Sequence, residues 1–177
     1  MNRPWIIATA ILCLSGFTSS AFCNETKETD SSKVQAEQSE LIPREVLFGN
    51  PERVAVQISP DGKWISYLAP YEGVMNIWLQ PREGGEARPL TTFTDRPLPG
   101  YTWAYNNEQI LFARDNDGDE NTHVYVVSIA DNKVVDLTPV DGVKAGIVEI
   151  HRDRPDEIVI SINDRDPQFS DYDIVNL

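Results

Sequence analysis

From residue 54 onward, apolar and polar positions alternate in short runs, and each run is cut off by a turn signal. Val54, Val56 and Ile58 occupy every second position, as on a strand with one buried face, and S-P-D-G at 59–62 ends the run. Residues 64–68 and the run MNIWLQP from Met75 predict a second and a third strand. A Gly84-Gly85 hairpin then leads into a short fourth strand toward Leu90. Upstream, in LIPREVLFG, Pro43 is placed to open a short helical turn that Gly49 ends.

The same four-part unit returns. YTWAYNNEQILFAR supplies an aromatic strand, a turn at Asn106-Asn107 and a second strand over 109–113. HVYVVSI matches MNIWLQP, and ADNKVVDLT matches REGGEARPLT; Trp78 to Tyr125 and Leu90 to Leu137 are each 47 positions. A third copy begins at Ala145, with 158–160 placed 48 positions after 110–112, and SDYDIVNL begins its third strand. Four short strands per unit at this period predict an all-β fold, a partial β-propeller of four-stranded antiparallel blades. The blades are expected at about 50–91, 100–138 and 145–177, the last incomplete. About two and a half blades stop short of ring closure, so the sequence reads as the front piece of a longer protein. Assembly of several copies into a ring is the alternative.

The first residues change the picture. Arg3, an apolar run over 5–14 and the small-residue patch SGFTSSAFC have the order of a secretory signal peptide, assigned to 1–23. The run is too short for a membrane span. Cleavage is expected after Ala21, with Ser19 at the small position, or after Cys23, with Ala21 in that role; Phe22 before Cys23 argues against a lipid anchor. Export implies a periplasmic or secreted protein with no membrane partner after cleavage. Cys13 and Cys23 lie in or at the edge of that segment, so the mature domain holds no disulfide and no thiolate zinc site. Residues 24–40 carry almost nothing apolar and read as a disordered spacer. Residues 41–177 are long enough for one core. The net charge of -13, which becomes -14 without the signal, argues against nucleic acid or anionic membrane as partners.

The stretch ARDNDGDENTHVYVV at 113–127 is the chain's densest acid cluster. An EF-hand would need glycine at its sixth position and glutamate at its twelfth. Counted from Asp115, with Asp117 and Asp119 at the third and fifth positions, glycine is fourth (Gly118), Glu120 is sixth and Val126 is twelfth. A nonstandard calcium contact by the three aspartates stays open. The stronger reading is a turn between strands, because Asp, Asn and Gly cap their own backbone and tolerate left-handed dihedrals, with the acids pairing to neighbouring arginines. Asp115 and Asp119 as a glycosidase pair would need a fixed carboxylate separation that this spacing does not show. Asp164, Arg165 and Asp166 in NDRDP are expected to pair with one another or across blades. His123 starts a strand, and His151 is expected in a loop with Arg152, Asp153 and Arg154; their 27-position separation makes a poor metal site. Trp64, Trp78, Trp103 and Tyr125 recur at strand positions, as packing between blades requires.

The ordered series LIPREVLFGNPERVAVQISPDGKWISYLAP, GVMNIWLQPREGGEARPLT, LFARDNDGDENTHVYVV, DLTPVDGV and RPDEIVISINDRDPQFSDYDIV resembles the start of prolyl oligopeptidase-family serine peptidases, closest to the acylaminoacyl and dipeptidyl aminopeptidase-like branch. The resemblance covers roughly 41–177. It implies a propeller that screens access to an α/β-hydrolase domain carrying a Ser-Asp-His triad, with peptides as substrate. It also implies that the acidic loop is a usual feature of the branch. The 177 residues contain no G-x-S-x-G elbow, so no catalytic residue is assigned, nor any cofactor or metal ligand. The missing hydrolase domain and further blades are the implied partners. A non-catalytic propeller that serves as a binding or scaffold module is the competing function. A reading frame continuing past residue 177 into an α/β-hydrolase, or only into more blades, would separate the two.

Overall fold

The structure, a computed structural model, describes residues 41–116 and 118–177; the expected signal peptide and spacer lie outside the described residues. A short helix α1 (Arg44–Phe48) comes first. Pro43 caps it with extended backbone (φ -55°, ψ 141°) and is not its first helical residue as the sequence suggests. The first blade comes next, as β1 (Val54–Ile58), β2 (Trp64–Tyr71), β3 (Val74–Pro81) and β4 (Arg88–Pro89), hydrogen-bonded in that order. The second repeats it with β5 (Thr102–Trp103), β6 (Gln109–Asp115), β7 (Thr122–Ser128) and β8 (Val134–Asp136). The third contains β9 (Ala145–His151), β10 (Arg154–Asp166) and β11 (Phe169–Asn176). Every pairing is antiparallel and the ring is open, so the fold is the expected partial propeller. His151 departs from expectation: it ends β9 and pairs with Arg154, because the β9–β10 turn is tight.

Strand alternation distributes the middle blade's side chains between two neighbours. Ile110, Phe112 and Val127 turn toward the first blade and pack with Leu68, Ile77 and Leu79. Leu111, Val124 and Val126 turn the other way, onto Ile158, Ile160 and Ile162. Phe112 and Ile77 are fully buried, and each such side chain contributes about 1.5–3 kcal/mol.

The outer strands β4 and β8 are short for a local reason that repeats. Leu90 N donates to Ile77 O at 2.7 Å, and Leu137 N to Val124 O at 2.8 Å. One residue on, the Thr91 hydroxyl accepts from Ile77 N at 3.0 Å, and the Thr138 hydroxyl accepts from Val124 N at 3.1 Å. A threonine side chain thus completes the ladder where the outer strand turns away. In the first blade Asn76, wholly buried, joins this closure: its Nδ2 donates to Val74 O and Phe93 O, and its Oδ1 accepts from Thr91 Oγ1 and Phe93 N.

Both ends of the stack present apolar side chains to solvent. Val56 and Ile58 are exposed on the first blade, and Phe169, Tyr172 and Ile174 on the third.

Candidate functional site

The acidic loop is built on two dipeptides of opposite order. Asp95-Arg96 lies in the connection between the first and second blades, and Arg114-Asp115 ends β6. Arg96 Nη1 donates to Asp115 Oδ2 at 2.7 Å, while Arg114 Nη2 donates to Asp95 Oδ2. Arg114 also stands 4.2 Å over the Phe93 ring, which meets Phe112 edge-on; Phe112 stacks on Tyr125, and Tyr125 on His123. For Asp95 burial pulls the carboxyl upward, but the Arg114 hydrogen bond, backbone N–H donors and the Arg114 charge together outweigh it and hold the group below its ordinary value.

Past Asp115 the chain folds down over Arg96. Gly118 takes φ +82°, and a Cβ there would meet Arg96 Nη1 at 2.8 Å. Glu120, also left-handed at φ 61°, turns the chain back toward β7. Asp119 accepts from Asn121 N at 3.0 Å and from Asn121 Nδ2 at 3.2 Å, and the backbone donor lowers its pKa. The Asp115 carboxylate therefore faces a guanidinium and the Asp119 carboxylate faces its own turn; Asp117 lies outside the described residues. The loop is a turn in which Arg96 pairs with Asp115 and Asp119 caps its own backbone. Beside it runs a groove of ≈ 430 Å³ lined by Arg96, Pro97, Pro99, Arg114, Glu120 and Thr122, among others.

The remaining candidates are dispersed. His123 Nδ1 lies 2.8 Å from Asp136 Oδ2, and Asp136 Oδ1 accepts from Thr138 N, so this pair closes the β7–β8 edge. His151 is half exposed and faces Asp153 at 3.8 Å. Within NDRDP, Arg165 pairs with Asp171 of the same hairpin at 2.8 Å, and Asp166 accepts from Gln168 N at 2.9 Å. Trp103 is buried and donates through Nε1 to Ser66 Oγ at 2.8 Å. Trp78 Nε1 donates to Ala69 O, and Trp64 and Tyr125 pack partly buried against the core between the first two blades.

Sequence reasoning misses Phe93, Asp95, Arg96, Ser66 and Tyr101. Only the mirrored order of Asp95-Arg96 and Arg114-Asp115 carries a signal. Ser66 is wholly buried, and it sits 2.9 Å from the Tyr101 hydroxyl, which in turn donates to Ala55 O at 2.7 Å. Burial pushes the Tyr101 phenol up to about 12, against the Ser66 hydrogen bond.

No protein-family profile matches the chain. Dipeptidyl aminopeptidase BIII of Pseudoxanthomonas mexicana is 41% identical over 140 residues, which is 78% of this chain and 20% of that protein. Dipeptidyl peptidase family member 6 of Caenorhabditis elegans is 40% identical over 92 residues, 51% of this chain and 12% of that protein. The chain thus spans a fifth or less of these relatives. Among solved structures, TolB from Acinetobacter baumannii aligns with a TM-score of 0.52 at 17% identity, over 73% of this chain and 30% of that one. The β-propeller domain of the Trilobed protease from Pyrococcus furiosus aligns at 0.50 and 20% identity, over 70% and 40%. These two likenesses establish the propeller fold. By sequence, over a stretch that the fold makes a propeller portion, the chain is similar to these two dipeptidyl peptidases, as peptidases of the prolyl oligopeptidase family.

Proposed function

We propose that residues 41–177 are the leading part of the propeller of an exported serine peptidase, and that their work is to gate peptide access to a separate α/β-hydrolase domain. The identity of 41% to a dipeptidyl aminopeptidase over 140 residues carries this reading. In it, hydrolysis proceeds through an acyl-enzyme on a serine of the hydrolase domain. The propeller's share is exclusion: a ring of rigid blades admits an extended peptide and turns away a folded protein. The first 23 residues supply the export signal of this reading, with the mature protein periplasmic or secreted. The competing reading is a propeller that binds or scaffolds without catalysis, favoured by the resemblance of its fold to TolB chains.

The test is capture of the native gene product with an antibody raised against residues 41–177, and then labelling with a fluorophosphonate probe for activated serines. A labelled product that cleaves dipeptidyl chromogenic substrates supports the peptidase reading. A captured product that takes no label overturns it in favour of the scaffold. N-terminal sequencing of the same material reports whether the mature chain starts after Ala21 or Cys23.

A further inference from the structure

The two seams between blades are made differently. Between the first and second blades, polar ties run along the whole contact. Gln57 Nε2 donates to Tyr101 O at 2.8 Å, and Asp61 N donates to Asn107 Oδ1 at 2.7 Å. Arg88 reaches both Asn132 Oδ1 and Ile129 O, and Asn132 Nδ2 returns a bond to Pro89 O. At the centre, Trp103 Nε1, Ser66 Oγ, the Tyr101 hydroxyl and Ala55 O form one buried circuit.

Between the second and third blades the contact is apolar. Leu111, Val124 and Val126 meet Ile158, Ile160 and Ile162. Among the described residues no hydrogen bond or ion pair joins residues 100–138 to residues 145–177; the Arg152 guanidinium over the Tyr105 ring, at 5.5 Å, is the polar contact found there. The polar bonds near this seam stay within one blade and its own connection, as when Lys144 N donates to Asn163 Oδ1 at 2.6 Å. The contrast lies on the inner strands that both seams contain: β1, β2 and their turn bond to the β5 region, whereas among the described residues β5, β6 and their turn make no such bond to β9.

Hydrogen bonds fix orientation, whereas apolar contact is non-directional and tolerates sliding. We propose that the first two blades move as one body and that the seam between the second and third is the plane along which this part of the propeller opens. Its mouth is already a shallow apolar groove of ≈ 370 Å³, where Pro99, Gly100, Tyr101, Leu111 and Ala113 face Ile147 of β9. Displacement of the third blade deepens that groove. The proposal rests on the bonding pattern and holds whether the propeller serves a peptidase or a scaffold.

Hydrogen exchange of the 177-residue chain, read by mass spectrometry in stepped sub-denaturing urea, tests it. Amides of β9 and β10 should lose protection together, on the order of ten-fold faster than those of β2, β3 and β6 and at lower urea. Ile160→Val, a small change on the third-blade side, should widen that gap and leave β2 and β3 unchanged. Loss of protection in all three blades together, or first in β2 and β3, overturns the proposal. So does an Ile160→Val effect spread equally over all three blades.

Discussion

Arg96 donates to Asp115 across 2.7 Å and lies directly beneath Gly118, where an added Cβ would come within 2.8 Å of its guanidinium. One arginine therefore pairs with the loop's first carboxylate and lies against its backbone at Gly118. Both members of the ion pair are partly exposed, with side-chain accessibilities of 44% and 25%, so solvent screening keeps its contribution small. The loop's backbone geometry is the larger effect. Gly118 is left-handed, which is the larger constraint, because the Arg96 side-chain tip that an added Cβ would meet can swing aside.

From this, Arg96→Ala should cost less than about 1 kcal/mol, whereas Gly118→Ala should cost about 1–2 kcal/mol from the backbone alone, more if Arg96 is displaced. Urea denaturation of the two variants measures this through the midpoint, provided the slope stays constant. Equal costs would mean that the loop is held by charge and not by its fold over Arg96.

Ser66 is the next point of leverage. The Tyr101 hydroxyl has one proton, and giving it to Ala55 O leaves the Ser66 hydroxyl to donate to the phenol oxygen while accepting from Trp103 Nε1. Ser66→Ala strands the indole N–H in a buried site and should cost about 1–3 kcal/mol. Tyr101→Phe breaks the same circuit elsewhere. Because the two changes share a network, the double variant should lose less than the sum of the singles in a double-mutant cycle. Strict additivity would show that the circuit is two unrelated contacts.

Ala55 makes a third case, since it sits in β1 at φ 50°, a left-handed position that costs a residue with a Cβ about 1–2 kcal/mol. The bulge between Val54 and Gln57 requires it, and the Tyr101 hydroxyl holds its carbonyl. Ala55→Gly removes the steric cost but adds freedom to the unfolded chain. The net expectation is stabilisation by up to about 1 kcal/mol, read as a rise in the thermal midpoint. A fall would place the carbonyl bond, rather than the dihedral, in control.

The strands are legible in the sequence because a blade is written locally: alternation, a turn signal, alternation again. The Leu90-Thr91 and Leu137-Thr138 steps repeat in sequence as they do in space, since each closes its own blade through the neighbouring strand. The ties between blades are not legible, because they join residues such as Ser66 and Trp103 or Asp61 and Asn107, 37 and 46 positions apart, and no local pattern selects the partner. The loop is half legible. Its composition announces a turn, but its arginine partner comes from the preceding connection, where Arg96 looks like any surface arginine. The β9–β10 hairpin misleads at His151 because the charged run with Arg152, Asp153 and Arg154 reads as a loop, whereas only Arg152 and Asp153 form the turn and His151 pairs with Arg154.

Titration should expose different groups at the two ends of the pH scale. The Ser59 hydroxyl, then the Lys63 N–H, hold the exposed Asp61 carboxyl down to about 2, and Asp131 is lowered by Ser128. A lowered carboxyl stabilises the fold fully above its unfolded pKa of about 4, and that contribution is lost as pH falls through the folded value. For Asp61 the window is thus pH 4 to about 2. Tyr101 runs the other way. Its phenol, raised to about 12 by burial, favours the fold below the unfolded pKa of about 10 and loses that contribution as pH climbs toward 12. The difference corresponds to roughly 2–3 kcal/mol at 1.36 kcal/mol per unit. Burial also raises Tyr125, so tyrosinate absorbance should show a late phase that coincides with unfolding and loses one tyrosine's amplitude in Tyr101→Phe. If its full amplitude persists in the variant, Tyr101 is not among the late-ionising tyrosines and the buried circuit around Ser66 does not control alkaline unfolding.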